Sequence, residues 1–258
     1  MTLFNLLTIQ NYGAGYASNY AGDAMSTFTT SDAFILTIII ALVGFFVQAR
    51  LQSVFKKYSQ VWFPGGMTGA EVAEKMLRDH NIRNVKITHV GGHLTDHFDP
   101  RTMTVNLSDS VYSSRSIAAA AVACHECGHA IQHAQGYAPL ALRSKLVPLV
   151  SFSSSIATWV IIGGLILMAS TNNETLCWIG IGLVAMSALF SIVTLPVEYN
   201  ASERALAWLE SSRTLQGEEL DGARIALRWA ARTYLVAALS AIATVLYYIT
   251  LITGRRND

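Results

Sequence analysis

Four stretches of this chain are apolar for long enough to cross a lipid bilayer, and this restricts the folds open to it. The hydrocarbon core needs about 20 residues of helix. Ala33–Val47 is apolar throughout. Counted from Phe28 to Gln48, with Asp32 near its outer end, the run reaches the required length. Leu146–Ser170, Thr175–Leu195 and Tyr234–Thr253 are each long enough and hold no charge; Glu174 sits just outside one boundary. Only 14% of the residues are charged and 52% are hydrophobic, whereas a soluble domain of ordinary composition carries about 25% charged residues. The reading is four transmembrane helices, not a soluble protein with buried ones.

Basic residues near the spans give the orientation. None precedes the first span. Arg50, Lys56 and Lys57 follow it, and Arg143 and Lys145 precede the second. The loop between the second and third, "STNNETL", has none, whereas Arg204, Arg213, Arg224, Arg228 and Arg232 lie between the third and fourth. Residues 49–145 and 198–233 therefore share one side, expected to be cytoplasmic. Arg255-Arg256 is the one misfit.

A net charge of +1, with no basic run interleaved with aromatics, argues against a nucleic-acid partner. Residues 1–30 lack Lys and Arg, so they do not form a secretory signal with a charged start; no function is assigned to them. Cys124, Cys127 and Cys177 are odd in number, which disfavours a disulfide framework and fits reduced thiols facing the cytosol.

The first polar segment has structure of its own. "TGAEVAEKMLRDHNI" begins with a capping box, Thr68 with Glu71, and brings Val72, Met76 and Leu77 to one face. "NVKITHV" alternates like a strand, Gly91-Gly92 turns it, and "RTMTVNL" is a second strand. Ser113 or Ser114 should cap a long helix that Gly136 ends, with Pro139 soon after. "HLTDHFDP" reads as turn chemistry at Thr95-Asp96 and Asp99-Pro100, with His93, Asp96, His97 and Asp99 as the weaker reading of a second metal site or a transition-state donor.

That long helix carries His125-Glu126-Cys127-Gly128-His129, an H-E-x-x-H string. Histidines four apart lie one turn apart on one face. Their imidazoles can converge on one Zn²⁺ at about 2.0–2.1 Å. Glu126 then sits beside the metal, where it can take a proton from a metal-activated water and return it to the leaving amine. The preceding "SIAAAAVAC" is small and apolar, so the helix should be packed on all sides and its polar groups need partners.

A catalytic zinc uses three protein ligands and one open position. His133 continues the stripe, but about 12 Å from His125 to His133 is too far for one ion on a straight helix. It reads as a supporting or structural residue. Cys127 points about 200° around the helix from His125, and Cys124 about 140° from His129, so neither thiol converges well. Among downstream carboxylates, Glu174 is on the wrong side of the membrane. Glu198 sits where the third span returns, just after Pro196, which can start or kink a helix there. Glu203 is its rival, on another face.

Together "TGAEVA", "LTDHFDPRT", "SIAAAAVACHECGHAIQ", "GYAPLALRS" and "LPVEYNASERA" resemble the YugP-like neutral zinc metallopeptidases of bacteria, from about Arg50 through the last span. That family is similar to the gluzincin group, including HtpX-type membrane proteases, whose H-E-x-x-H is completed by the first glutamate of an E-x-x-A-D string. The resemblance implies Glu198 as the third ligand, from Glu198-Tyr199-Asn200-Ala201-Ser202. Ser202 stands where those relatives carry aspartate; a hydroxyl accepts a hydrogen bond from a zinc histidine more weakly. The resemblance also suggests that the strand Met103–Leu107 is an edge on which an extended peptide pairs.

The expected fold is mainly α and integral to the membrane, with four transmembrane helices and a small α+β zincin-like catalytic domain. Its parts are an extension (1–30), a first span (31–49), a cytoplasmic domain (50–145), a transmembrane hairpin (146–197), a cytoplasmic helical segment with the third ligand (198–233), and a fourth span with tail (234–258). The expected function is zinc-dependent endopeptidase activity in the bacterial inner membrane, on membrane-associated or unfolded proteins. His125, His129 and Glu198 would hold one Zn²⁺, and Glu126 would be the catalytic residue. The expected partners are a protein or peptide substrate and the lipid bilayer; the sequence does not reveal oligomeric state or membrane-protein partners. The alternatives are a metal-dependent enzyme of another reaction class and a non-proteolytic scaffold with a structural zinc.

Overall fold

A computed structural model of the chain describes residues 29–92 and 94–254. Most of the N-terminal extension, His93 and the Arg255-Arg256 tail lie outside the described residues.

Helix α1 (Thr30–Ser59) leads to α2 (Gly69–Asp79) and then to strands β1 (Lys86–Val90), β2 (His97–Asp99) and β3 (Thr104–Ser108). The single turn α3 (Asp109–Tyr112) precedes α4 (Ile117–Ala134). Three long helices follow: α5 (Ala138–Thr171), α6 (Thr175–Ser211) and α7 (Gly217–Gly254). Helices α1, α5, α6 and α7 are long and apolar enough to cross a membrane. Large apolar side chains such as Phe45, Phe46, Trp159 and Ile166 stand exposed along them, as suits a surface facing acyl chains rather than water.

These helices run well past their apolar stretches. Helix α6 continues unbroken through Pro196, so that proline does not start a new helix. Glu198 thus rides on the rod that carries the third apolar run. The protruding ends of α6 and α7 share a core with the polar segment: Ala205, Leu209, Ala223 and Leu227 pack with Phe63, Val72, Met76, Leu107, Ile117 and Ile131.

The capping box of α2 forms as the sequence indicates: Glu71 N–H donates to Thr68 Oγ1 at 3.2 Å and Thr68 N–H to Glu71 Oε2 at 2.7 Å. Helix α4 starts later than the serine pattern suggests. Its cap is Ser116, whose Oγ accepts from Ala119 N at 3.2 Å, not Ser113 or Ser114. The residues between are held extended, because Phe63 N–H donates to Arg115 O and Ile117 N–H to Val61 O.

The sheet order is β1-β3-β2, with β3 parallel to β1 and antiparallel to β2. This corrects the expectation of an edge strand at 103–107: β3 is central, with Val105 and Leu107 buried. The second correction is β2 itself, read from the sequence as turn. Three residues between turn formers are too few to show an alternation. The turn chemistry is nonetheless present at its ends. Asp99 accepts from Arg101 N–H at 2.8 Å and from Thr102 Oγ1 at 3.0 Å, and Asp96 accepts from Ser108 N–H and Oγ.

Helix α4 meets α6 at Gly128. A Cβ there would lie 2.5 Å from Ala201 O, so only glycine allows the two backbones to approach this closely. The glycine inside the H-E-x-x-H string therefore sets the spacing between the helix of the histidines and the helix of Glu198.

Candidate metal centre

His125 and His129, one turn apart on α4, turn their rings toward α6 with centroids 4.8 Å apart. His125 Nε2 is 3.2 Å and His129 Nε2 3.5 Å from the same oxygen, Glu198 Oε2. The three donor atoms all lie within 4.8 Å of one another and could hold a metal ion. The spacing suits zinc: tetrahedral bonds of about 2.0–2.1 Å put neighbouring ligand atoms about 3.3–3.4 Å apart. The donor set of two imidazoles and one carboxylate is also that of a catalytic zinc.

Glu198 is 1% exposed, and an isolated carboxylate at that depth would be costly. Burial raises its carboxyl, but the His125 and His129 imidazoles outweigh it and hold the group well below the usual carboxylate range. Burial likewise lowers His129; the hydrogen bond its ring donates to Glu198 and the Glu126 and Glu198 charges reverse that and raise it overall. Each shift has the other partner among its causes: the imidazoles favour the ionised carboxylate, and the carboxylate favours a positive charge on His129. The other carboxylate oxygen, Oε1, lies 3.0 Å from Arg143 Nη1 on α5. That ion pair is close, but no hydrogen bond is aligned on the oxygen.

The tautomers of the two histidines rest on neutral groups. His125 Nδ1 is 3.1 Å from Ser202 Oγ, and His129 Nδ1 donates to Gln132 Oε1 at 3.0 Å. With the δ nitrogens so engaged, both ε nitrogens face Glu198. Glu126 is also buried. It lines, with His129 and Glu198, a cleft of about 500 Å³. One wall of the cleft is β2 and the turn after it, from Asp96 to Arg101. The other is the start of α5, with Leu140, Arg143, Ser144 and Val147 on one helical face, and Tyr234 of α7.

A family model described as "Putative neutral zinc metallopeptidase" matches residues 33–253. The chain belongs to this zinc metallopeptidase family. It is 40% identical over 228 residues to the "Putative membrane protease YugP" of Bacillus subtilis (strain 168), covering 87% of this chain and 99% of that protein. No solved structure matches.

Four of the residues singled out in the sequence lie together: His125, His129 and Glu198 cluster, and Glu126 lines the same cleft as His129 and Glu198. The others do not join them. Glu203 is exposed and outside the cluster. His133 packs its ring against Phe98 of β2, centroids 5.8 Å apart. His97 lines the cleft, but both its nitrogens are engaged: Nδ1 donates to Thr95 O at 2.8 Å and Nε2 accepts from Asn106 Nδ2 at 3.2 Å. Cys124 and Cys127 face the core, where burial pushes both thiols up, and Cys127 donates to Ala73 O. Neither belongs to the cluster of His125, His129 and Glu198.

Sequence reasoning did not find Arg143, Tyr234 or Gln132. Arg143 and Tyr234 read as ordinary residues at span boundaries, and no spacing rule links them to α4. Gln132 carried a signal: it follows His129 by three, on the same helical face.

Proposed function

We propose that this member of the family is a membrane-embedded, zinc-dependent endopeptidase with its site on the cytoplasmic side. The observation that carries this reading is the convergence of two imidazole Nε2 atoms on Glu198 Oε2 beside a buried glutamate in an open cleft. His125, His129 and Glu198 would hold one Zn²⁺. When bound, zinc supplies a Lewis acid that polarises the scissile carbonyl and lowers the pKa of a water to about 7.

The chain's own groups do the rest. Glu126, next to His125 and on the cleft wall, takes the proton of the attacking water and gives it to the leaving amine. Tyr234 and Arg143, on the α5–α7 wall, are donors available to the oxyanion that develops on the carbonyl. The edge of β2 is the strand on which an extended peptide pairs, in place of β3. A sheet lying against the H-E-x-x-H helix supports a zincin-like reading of this part of the chain. Three protein ligands leave the position that hydrolysis needs, whereas a structural zinc is closed by four.

The substrate class is membrane-associated or unfolded protein. The α5 wall of the cleft continues directly into an apolar helix, so the site lies close to the bilayer surface. The orientation rests on the basic residues that flank the spans.

The test compares purified wild type and Glu126→Gln in detergent, loaded with zinc, on an unfolded protein substrate. Wild type should cleave and a chelator should stop it. Glu126→Gln should keep its zinc and lose about 10²–10⁴-fold in rate. Cleavage at the wild-type rate by the variant would remove Glu126 from its role and this mechanism with it.

A further inference from the structure

Behind His129 lies a chain of polar contacts that the mechanism above does not use. Gln132, on α4, is fully buried. Its amide nitrogen donates to Val197 O at 2.8 Å and to Asn200 Oδ1 at 3.0 Å, both on α6. Its amide oxygen accepts from His129 Nδ1 at 3.0 Å. Asn200 Oδ1 accepts a second bond, from Arg204 Nε at 2.7 Å, and Arg204 Nη1 donates to Gln135 Oε1 at 2.7 Å, back on α4.

The direction of every bond follows from two groups whose roles cannot change. A guanidinium only donates, so Arg204 fixes Asn200 with its oxygen toward Gln132. A peptide carbonyl only accepts, so Val197 O requires the Gln132 nitrogen on its side. Both conditions demand the same amide orientation, with Gln132 Oε1 toward His129. An amide oxygen cannot donate, so His129 carries a proton on Nδ1, and in its neutral form the lone pair is on Nε2, the nitrogen that faces Glu198. His125 lacks this constraint, because the Ser202 hydroxyl can donate or accept.

We propose that Gln132 is a positioning residue for the metal centre: through Val197, Asn200 and Arg204 it fixes the tautomer of His129 and the height of α6 against α4. One buried amide ties the histidine helix to the backbone one residue before Glu198. The two halves of the donor set are then held together before any ion arrives. Pre-organisation of this kind strengthens binding by removing the ordering cost.

This inference rests on the zinc reading of the site, and its test keeps the two apart by reading metal affinity and ligand field, not proteolysis. Zinc dissociation constants from chelator competition and Co²⁺ absorption spectra would be compared for wild type, Gln132→Met and Arg204→Ala in detergent. Gln132→Met keeps length and volume and removes all three bonds; it should weaken zinc about 10–100-fold and alter the Co²⁺ bands. Arg204→Ala, at the partly exposed end of the chain, should weaken zinc by less. It also serves if Gln132→Met does not fold. Wild-type affinity and an unchanged Co²⁺ spectrum in a folded variant of either kind would overturn the proposal. Failure of the wild type itself to bind zinc would sink the site reading instead.

Discussion

Glu198 Oε2 stands 3.2 Å from His125 Nε2 although 73 positions of sequence separate the two residues. A helical hairpin, α5 and α6, fills most of that interval. The carboxylate reaches the imidazole because α6 is one continuous rod from its apolar run to Ser211. It stays there because Gly128 lets α4 lie directly against Ala201. The contact makes the donor set depend on the hairpin as much as on the H-E-x-x-H helix.

Glu198→Gln should therefore abolish tight metal binding while the protein still folds. The amide keeps the volume and can pair with one histidine, but it cannot supply the charge. A loss of at least about 100-fold in zinc affinity is expected, larger than for residues that only support a ligand. Chelator competition checks it; stoichiometric zinc in the purified variant at wild-type affinity would contradict the assignment.

Gly128→Ala should damage the centre without touching any polar atom. The added Cβ would meet Ala201 O at 2.5 Å and Ala201 Cα at 3.0 Å, so α4 and α6 must separate. Overpacking of this kind costs about 1–3 kcal/mol. Thermal unfolding in detergent should show the loss of stability, and zinc affinity should fall with it. If the melting temperature and zinc content both stay at wild-type values, the close approach is not what sets the site.

How much of this was legible beforehand depends on the range of the interaction that encodes each part. The spans, the capping box at Thr68 and Glu71, and the pairing of His125 with His129 all depend on residues a few positions apart, and the sequence displays them directly. Glu198 needed more: a carboxylate at the returning end of a span, together with the family resemblance. Strand β2 was invisible because Phe98 is its one inward apolar residue and its ends are turn formers. The central place of β3 depends on β2 and was lost with it. Arg143 and Tyr234 belong to helices whose sequence is governed by lipid, so their approach to the cleft leaves no periodic trace.

Protons and the metal compete for the same groups, and the two shifts act in opposite pH directions. The folded His129 is raised above its ordinary 6.5, so the stability it contributes is full below 6.5 and is lost as pH rises through the raised value. The folded Glu198 is depressed below its ordinary 4.5, so its contribution is full above 4.5 and is lost as pH falls through the depressed value. In metal-free protein the pair should stabilise most between pH 4.5 and 6.5. Zinc must displace the His129 proton, so its affinity should rise with pH until His129 is neutral and then level off. Denaturant midpoints of the metal-free protein and zinc affinity, each followed across pH, should bend in these opposite senses; a zinc affinity flat from pH 5 to 8 would contradict them.

Tyr234→Phe isolates the role of the α7 wall. The tyrosine lines the cleft with Glu126, His129 and Glu198, and its hydroxyl interacts with the Glu198 side. It is not one of the metal-binding trio. Phenylalanine keeps the ring and its packing and removes one O–H donor. If that donor meets the oxyanion, the interaction strengthens as charge develops on the carbonyl, and its loss falls on the chemical step. A fall of about 10²–10³-fold in kcat is expected, with KM and zinc content near wild type. An increase in KM at constant kcat would assign the hydroxyl to substrate binding instead. Loss of zinc together with activity would mean that it supports Glu198. An unchanged kcat and KM would leave Arg143 as the donor on that wall, and Arg143→Lys, which keeps the charge but not the fork of N–H groups, would then be the variant in which kcat falls.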